Sequence, residues 1–274
     1  MGYIILERAH RLVEHLAGWS VLGGYLRQKY DRVFAANLDS NLFRGVYATF
    51  EEAERSAPGT LPLGYDHPGP ASMYVERTRK AYPTDYPVLF WLQKLFRQGH
   101  TRVFDLGGHT GVSYYAYRRY LDYPVTLRWQ VQDVPAVVQQ GRRLAAEMDR
   151  DGYLSFADRF DEAEGADVLV ALGSLQYLPE TLAERLRNLK TPPRHLILNL
   201  IPLHERHSYF TLQSIGTAFC PYRVTAFSEF QSAYRKLGYE AVDTWENPEK
   251  RCDIPFHPEH SLDRYYGFYF RRTA

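Results

Sequence analysis

A glycine-rich turn with an acidic residue in front of it is the pattern in this chain with the clearest chemical meaning. Asp105 is followed by Gly107, Gly108 and Gly111 in the order D-x-G-G-x-x-G, and the residues before Asp105 are apolar. Glycine lets the backbone approach a ligand closely, and the N-terminus of a following helix offers free N–H groups and a positive dipole. We therefore expect this turn to bind a small polar ligand, with His109 contacting the ligand or packing beside it rather than acting as a base.

Two other phosphate-binding patterns do not fit this turn. The dinucleotide pattern G-x-G-x-x-G, started at Gly107, would need glycine where the chain has His109 and Val112, and a P-loop would need Lys followed by Ser or Thr. The pattern instead resembles the first motif of class I S-adenosylmethionine-dependent methyltransferases, in which the glycine turn passes the methionine and ribose portions of the cofactor. An NAD-dependent sugar-modifying enzyme is the alternative that this register disfavours.

The class I resemblance implies further cofactor contacts at the ends of the next strands. Asp133 ends the second strand, where an acidic side chain accepts hydrogen bonds from the ribose hydroxyls. It would also suit a cap for the helix that follows, and the two roles can coexist. Ser155 and Phe156 end the third strand, where the family places adenine contacts, although Phe156 also fits an ordinary core residue. Gly173 and Ser174 follow the fourth strand and match the loop over the cofactor's methionine end.

One departure from the family pattern concerns the ribose position. Many class I members have Glu where this chain has Asp133. Because the Asp side chain is shorter, its contact with the ribose could run through a water molecule.

Candidate groups for the methyl acceptor follow the fifth strand or belong to the resemblance. His204 and His207 are the candidate general bases, because a neutral imidazole near pH 7 can take a proton from a hydroxyl; as loop residues, both could equally be solvated. The candidate acceptor contacts are five tyrosines and one amide: Tyr47, Tyr65, Tyr114, Tyr209, Tyr222 and Gln213. The ten histidines form no H-x-x-x-H or H-E-x-x-H pair on a predicted helix, so we expect no metal site.

The elements that position these residues alternate between short apolar strands and amphipathic helices from Thr101 onward, which is typical of a parallel sheet covered on both faces. The predicted strands are Arg102–Leu106, Thr126–Gln132, Tyr153–Phe156, Val168–Leu172, His195–Leu200, Glu240–Trp245 and Tyr266–Arg271. The predicted helices are Ile4–Leu16, Tyr86–Gln98, Tyr114–Tyr120, Val134–Met148, Pro179–Asn188 and Ser228–Leu237. The last two strands are expected to form a hairpin, and Thr49 is expected to cap a short helix together with Glu52.

Composition excludes several classes of protein. The chain has 274 residues, of which 45% are hydrophobic and 24% charged, so it is not a disordered protein. Its net charge of +1 gives no field that attracts nucleic acid, and no stretch approaches the ~20 apolar residues of a membrane span. Cys220 and Cys252 match no metal or disulfide pattern, so we expect two buried, unreactive thiols in a cytoplasmic protein.

Beyond class I in general, the chain resembles a family of bacterial methyltransferases associated with gene clusters for surface polysaccharides or other secondary biosynthesis. The resemblance runs from about Val46 to Phe270. Its carriers besides the glycine turn are Gly45-Val46-Tyr47, Gly64-Tyr65-Asp66, Trp129, Asp133-Val134-Pro135, Thr211-Leu212-Gln213 and Pro221-Tyr222. The resemblance implies methyl transfer from S-adenosylmethionine, which leaves S-adenosylhomocysteine as the product.

These observations predict an α/β fold with two parts. Residues 99–274 are expected to form a Rossmann-like, seven-stranded class I methyltransferase sheet, and residues 1–98 a mostly helical segment that caps the substrate side. The predicted function is O-methylation of a small-molecule or glycan acceptor, a sugar or natural-product intermediate, with the amphipathic first helix as a candidate homodimer contact. The alternative from another class is a non-catalytic Rossmann-like protein that serves for binding or as a scaffold.

Overall fold

The structure, a computed structural model, describes residues 21–37, 41–66 and 75–273. The helix predicted from Ile4 to Leu16, with its candidate dimer contact, lies outside the described residues. The described strands form one sheet of seven strands and one of four. None of the helices in these parts of the chain combines the length and the apolar character that a membrane crossing requires.

The helices and strands follow one another along the chain with these bounds. The strands are β1 (Leu42–Tyr47), β2 (Arg102–Leu106), β3 (Arg128–Gln132), β4 (Leu154–Ala157), β5 (Val168–Leu172), β6 (His195–Ile201), β7 (Leu203–His204), β8 (Tyr209–Ser214), β9 (Phe219–Ala226), β10 (Tyr239–Asn247) and β11 (Tyr265–Arg272). The α-helices are α1 (Val21–Ala35), α2 (Phe50–Arg55), α3 (Tyr86–Arg97), α4 (Val112–Tyr117), α5 (Pro135–Met148), α6 (Leu182–Arg187) and α7 (Phe227–Arg235). Short 3₁₀ turns cover Val75–Arg79, Pro83–Asp85, Phe160–Ala163, Leu175–Tyr177 and Pro258–His260.

The seven-stranded sheet has the order β10-β11-β6-β5-β2-β3-β4. Strands β4, β3, β2, β5 and β6 pair in parallel, whereas β11 pairs antiparallel with both β6 and β10. The predicted Rossmann-like sheet with a closing antiparallel hairpin is therefore confirmed. Because the chain runs outward from β2 in both directions, the strand order reverses there, and ligands in such sheets bind beyond the carboxyl ends of the strands at that point.

Two apolar layers cover the faces of this sheet, and alternate residues of each strand enter different layers. Val103 packs with Trp129 and α3 on one face, whereas Phe104 packs with Phe268 and α7 on the other. Asp105 follows the same alternation, so its side chain lies on the Trp129 face. The sheet thus carries a carboxylate into a mostly apolar layer.

The four-stranded sheet, in the order β1-β8-β9-β7, is a feature that the sequence pattern did not predict. Strand β1 belongs to the N-terminal segment and pairs antiparallel with β8, so the segment is joined to the later chain by a sheet. Strand β9 contains Pro221, and proline is unusual inside a strand, so the sequence does not predict one there. The strand forms nevertheless, with buried aromatic and β-branched side chains such as Phe219 and Val224. The division of the chain at residue 98 stays a prediction.

The Thr49 cap predicted for the short helix α2 is confirmed, whereas Glu52 accepts from the residue before the cap and not, as in a capping box, from Thr49 itself. The Thr49 hydroxyl accepts a hydrogen bond from the Glu52 N–H at 3.1 Å, and the Glu52 carboxylate accepts one from the Ala48 N–H at 3.0 Å. The cap fixes the start of α2, and Phe50 and Glu54 of this helix lie at the rim of the cleft described next.

Candidate functional site

A cleft of about 570 Å³ opens at the carboxyl ends of β2, β3 and β5, where the strand order reverses. Its volume is in the range of small-molecule sites. Seven of the ten residues predicted to bind the cofactor line it: Asp105, Gly107, Gly108, His109, Asp133, Gly173 and Ser174. The opposite wall comes from the N-terminal segment, through residues that include Tyr65, Tyr82 and Asp85.

Asp105 is the most unusual group in the cleft. Its carboxylate is buried, and its Oδ2 accepts a hydrogen bond from the Trp129 indole N–H at 3.0 Å. Its Oδ1 is buried and has no hydrogen-bond partner among the described residues. The pKa of Asp105 is raised to about 7, mainly by burial; the Trp129 hydrogen bond opposes this rise and the charge of Asp133 adds to it. One oxygen of this carboxylate therefore lacks a donor, and a cation in the cleft would favour the ionised form of Asp105.

The glycine turn holds its neighbours too closely for any side chain. A Cβ on Gly107 would lie 2.2 Å from the Ser174 Cβ, and Gly107 has a φ of +74°. A Cβ on Gly108 would lie 2.4 Å from the Asp105 Cγ. The Ser174 hydroxyl also donates a hydrogen bond to the Leu106 carbonyl at 2.5 Å, which ties the loop after β5 to the end of β2. Glycine is thus required at both positions because Ser174 and Asp105 leave no room for a Cβ atom.

Three backbone N–H groups of this turn are already engaged within the protein. Gly107 donates to the Gln132 carbonyl at 2.7 Å, and His109 donates to the Asp133 carboxylate at 2.9 Å. Gly111 donates to the Gly108 carbonyl at 3.1 Å. These N–H groups are therefore not available to a phosphate.

Asp133 combines a local role with a place on the cleft. Its Oδ2 accepts from the His109 N–H and its Oδ1 from the Val134 N–H at 2.8 Å, so the carboxylate braces both the glycine turn and the start of α5. Burial raises the pKa of Asp133, whereas the Val134 hydrogen bond and His109 oppose this rise. An ionised carboxylate has about four acceptor sites, so acceptor capacity remains for hydroxyl donors in the cleft.

Asp85 is a buried carboxylate of the opposite wall that the sequence did not single out. It lies in the 3₁₀ turn before α3, and its Oδ2 accepts a hydrogen bond from the Tyr82 N–H at 2.8 Å. Buried Asn199 holds this turn, because its amide donates to the Thr84 carbonyl at 2.8 Å and its oxygen accepts from the Trp245 indole at 2.9 Å. In sequence, an Asp before an amphipathic helix indicates only a cap.

The two residues predicted to contact adenine, Ser155 and Phe156, do not line the cleft. Ser155 is exposed and does not line the cleft. Phe156 packs on Gly141 of α5, where a Cβ would lie 2.3 Å from its ring, so Phe156 is a packing residue. Asp158, just beyond the end of β4, lines the cleft instead. Gly111 also lies outside the lining and begins α4 with a φ of +89°.

The two histidines predicted as general bases do not lie on the cleft, which corrects that prediction. His204 is buried; its Nε2 contacts the Glu259 carbonyl at 2.9 Å, and its Nδ1 accepts from the Arg206 and His207 N–H groups at 3.1 and 3.0 Å. Both ring nitrogens are thus engaged, and burial lowers the pKa of His204. His207 is exposed, with its ring 5.3 Å from that of His204. Neither imidazole can take a proton from a ligand in the cleft.

Three of the predicted acceptor tyrosines are structural. Tyr114 is buried in the core, and its hydroxyl donates to the Asp149 carboxylate at 2.6 Å. Tyr209 is buried, and its hydroxyl donates to the His260 carbonyl. Tyr47 packs in the small apolar cluster beside β1, around Phe34. These three side chains do not line the cleft.

The other three predicted contacts meet at Tyr177, a cleft residue that the sequence did not single out. Tyr65 lines the cleft, with its ring 5.0 Å from that of Tyr177. Gln213 accepts a hydrogen bond from the Tyr177 hydroxyl at 2.8 Å, and the Tyr222 ring lies 5.3 Å from the Tyr177 ring. Gln213 and Tyr222 therefore position a wall of the cleft without lining it. Cys220 lines it too; both it and Cys252 are buried and unpaired, as predicted, and burial raises the pKa of the Cys220 thiol to about 12.

Comparison with known proteins gives similarity in structure alone. No protein-family model matches the chain, and no curated protein matches it in sequence. The CcbJ methyltransferase from Streptomyces caelestis is similar over 70% of this chain and 91% of its own, with 14% identity and a TM-score of 0.44. The 1,6-didemethyltoxoflavin-N1-methyltransferase from Burkholderia thailandensis is similar over 70% of this chain and 79% of its own, with 17% identity and a TM-score of 0.44.

A third solved structure, the magnesium protoporphyrin IX methyltransferase from Synechocystis, is similar over 77% of this chain and 87% of its own, with 14% identity and a TM-score of 0.43. Similarity at this level is too weak to assign a function to the chain. A function therefore has to be inferred from the residues that line the cleft.

Proposed function

We propose that the protein transfers a methyl group from S-adenosylmethionine to a hydroxyl of a small molecule, a sugar or a natural-product intermediate. The observation that carries the proposal is the pair of carboxylates, buried Asp105 and half-buried Asp133, at the carboxyl ends of the neighbouring strands β2 and β3 of a Rossmann-like sheet. One of them, Asp105, has a buried oxygen with no donor among the described residues.

The chemistry of these groups fits this cofactor. S-adenosylmethionine has a positively charged amino group, a sulfonium and a ribose with two hydroxyls. Asp105 has acceptor capacity for a cationic donor, and charge-assisted hydrogen bonds of this kind are the stronger ones. Asp133 has acceptor capacity for the ribose hydroxyls, and Gly107 and Gly108 allow the closest approach of the backbone.

The same groups disfavour a nicotinamide dinucleotide. A pyrophosphate needs free N–H donors, but those of Gly107, His109 and Gly111 are already hydrogen-bonded. The carboxylates of Asp105 and Asp133 beside the turn would also repel two phosphate charges. A cationic cofactor suits the cleft better than an anionic one.

The cofactor, when bound, supplies an electrophilic methyl group, so the chain's own task is to bind, orient and shield the acceptor. Tyr65, Tyr82 and Tyr177 place aromatic rings in the cleft, and rings of this kind stack on planar or sugar acceptors. Holding two reactants in a water-poor cleft accounts for a large part of the rate in such reactions. Asp85 is the buried carboxylate on the acceptor wall, and we assign it the role of accepting the hydroxyl proton.

Calorimetric titration of the full chain tests the cofactor. We expect S-adenosylhomocysteine to bind with micromolar or tighter affinity and NAD not to bind. Asp133→Asn should weaken binding at least about 10-fold, because a hydrogen bond to a charged group contributes about 1.5–3 kcal/mol, whereas the exposed Asp122→Asn should bind as the wild type. Binding of NAD in place of S-adenosylhomocysteine, or equal affinity in both variants, would remove the basis of the proposal.

Methyl transfer separates an enzyme from a binding protein that keeps the same cofactor contacts. The full chain with S-adenosylmethionine and a panel of sugar nucleotides and phenolic acceptors should release S-adenosylhomocysteine. Asp85→Asn should retain cofactor affinity while its turnover falls by about 10²-fold or more. Tight cofactor binding without transfer to any hydroxyl acceptor would favour the scaffold alternative, and unchanged turnover in Asp85→Asn would exclude this residue as the proton acceptor.

A further inference from the structure

A second group of polar side chains lies away from the cleft, where a loop over residues 252–262 packs against β7 and β8. Four of the protein's histidines meet there with one glutamate. We call the group the histidine cluster; its members are His204, His207, His257, Glu259 and His260.

Three members of the cluster have ligand atoms close enough to share one ion. One atom each of His257, Glu259 and His260 lies within 4.8 Å of the other two. The Glu259 Oε1 is 2.9 Å from the His260 Nδ1 and 4.0 Å from the His257 Nδ1. Ligands of tetrahedral Zn²⁺, each about 2.0–2.2 Å from the metal, lie about 3.4 Å from one another. The two spacings to Glu259 bracket this value, so the three ligand atoms are placed as a shared ion would require.

The backbone that carries these ligands is held in place from several directions. Hydrogen bonds between Cys252 and Leu262, at 3.0 and 2.8 Å, close the base of the loop. The His260 N–H donates to the His257 carbonyl at 3.0 Å within the 3₁₀ turn. The Tyr209 hydroxyl donates to the His260 carbonyl, and its ring lies 4.9 Å from the imidazole. A ligand set on such a turn loses little conformational entropy when it binds an ion.

The two remaining histidines support this arrangement from the other side. The Nε2 of His204 contacts the Glu259 carbonyl at 2.9 Å and thereby fixes the backbone of the central ligand. His207 is stacked on His204, with ring centroids 5.3 Å apart, and its ring centroid is 6.1 Å from that of His260. An exposed imidazole at this distance can supply a fourth ligand, or water can take that position.

We propose that His257, Glu259 and His260 form a binding site for a divalent transition-metal ion, Zn²⁺ in the first place, with His207 as a fourth ligand. Two imidazoles and one carboxylate are a ligand set that suits Zn²⁺ rather than Mg²⁺ or Ca²⁺, which prefer oxygen ligands alone. The site is independent of the proposed methyl transfer, since none of its residues lines the cleft. The ion would tie the 252–262 loop to the corner between β7 and β8.

The sequence criterion had missed this site for a simple reason. It sought histidines four residues apart on a helix, or acidic clusters, whereas His257 and His260 are three residues apart and lie at a 3₁₀ turn. The fourth histidine comes from a chain segment that is about 50 residues away in sequence.

Titration of the EDTA-treated full chain with ZnCl₂ tests the proposal. We expect one Zn²⁺ per chain and a higher midpoint of thermal unfolding with Zn²⁺ present, since an ion that binds only the folded state stabilises it. His257→Ala and Glu259→Gln should each weaken Zn²⁺ binding at least about 10-fold, since even outer-shell changes cost 10- to 100-fold. Glu240→Gln, an exposed glutamate outside the cluster, is the matched control and should bind as the wild type.

Bound Co²⁺ provides a second readout that does not depend on stability. A visible absorption band of four-coordinate Co²⁺ should appear in the wild type and be lost in His257→Ala, while circular dichroism verifies that the metal-free variant is folded. Absence of Zn²⁺ binding to the wild type, or equal Zn²⁺ affinity in the wild type and the two cluster variants, would overturn the proposal. The S-adenosylhomocysteine titration is expected to give the same affinity in His257→Ala, so failure of one proposal can be told from failure of the other.

Discussion

Replacing Asp105 with Asn should make the protein more stable at alkaline pH while weakening its affinity for the cofactor. The side chains have nearly the same shape, and the Asn oxygen can still accept the Trp129 indole hydrogen bond that Asp105 accepts at 3.0 Å. What the substitution removes is a buried negative charge. Its effect on stability therefore depends on the pKa of Asp105.

The sign and magnitude follow from the raised pKa. Burial raises the pKa of Asp105 from 3.8 to about 7, so the folded protein binds more protons than the unfolded chain between these two values. The free energy of unfolding of the wild type should therefore fall as pH rises from about 4 to about 7, and stay low above that. At about 1.4 kcal/mol per pKa unit the loss is about 4 kcal/mol. The Asp105→Asn variant avoids this loss, but burying the Asn amide where Oδ1 lacks a partner lowers its own free energy of unfolding by about 1–3 kcal/mol.

We expect Asp105→Asn to exceed the wild type by about 1–3 kcal/mol at pH 8. Urea unfolding of both proteins at pH 5, 6, 7 and 8 measures the difference, in which the contributions of other titrating groups largely cancel. Asp122→Asn, an exposed carboxyl, should show a difference near zero at every pH. If the difference between wild type and Asp105→Asn does not grow with pH, then Asp105 has an ordinary pKa and its ionised form is already well solvated or paired.

Two further substitutions test the close contacts of the cleft. Gly108→Ala puts a methyl group 2.4 Å from the Asp105 Cγ, so it should lower the free energy of unfolding by about 1–3 kcal/mol and abolish the S-adenosylhomocysteine binding measured by calorimetry. In the control Gly59→Ala the added methyl group meets nothing within 4 Å, so neither effect is expected. A Gly108→Ala protein that binds normally would contradict the described turn. Asn199→Ala removes the buried amide that holds the turn before α3, so the free energy of unfolding in urea should fall by at least about 2 kcal/mol. For the exposed control Asn188→Ala it should change by no more than about 0.5 kcal/mol. Equal changes in the two variants would mean that the buried hydrogen bonds of Asn199 contribute little.

The parallel sheet and the cofactor side of the cleft could be predicted from sequence because local pattern and global position agree there. Each predicted strand of the seven-stranded sheet exists, with ends that differ by no more than two residues. The glycines that follow an apolar strand and the acidic residues at strand ends can be located from the residues next to them in the sequence. Asp105 and Asp133 therefore lie where the pattern placed them.

The acceptor side could not be predicted in the same way, because long-range pairing decides it. His204 follows a central strand, which is where catalytic groups often lie, yet the chain turns into the four-stranded sheet and buries the ring against Glu259. Asp85 lies in a turn that Asn199, more than 100 residues later, holds through the Thr84 carbonyl. No local periodicity reports such contacts.

The pairing of β1 with β8 has a consequence for the order in which the cleft is made. Leu42 lies opposite Ser214, so the strand that anchors the N-terminal wall has no partner until the ribosome has added on the order of 170 further residues. The cofactor turn, by contrast, needs only β2 and its near neighbours. During synthesis the half of the cleft that we propose for the cofactor can therefore form first, and the wall opposite it is anchored only when β8 arrives. A nascent chain would thus complete the side of the cleft proposed for the cofactor before the wall that would select an acceptor is in place.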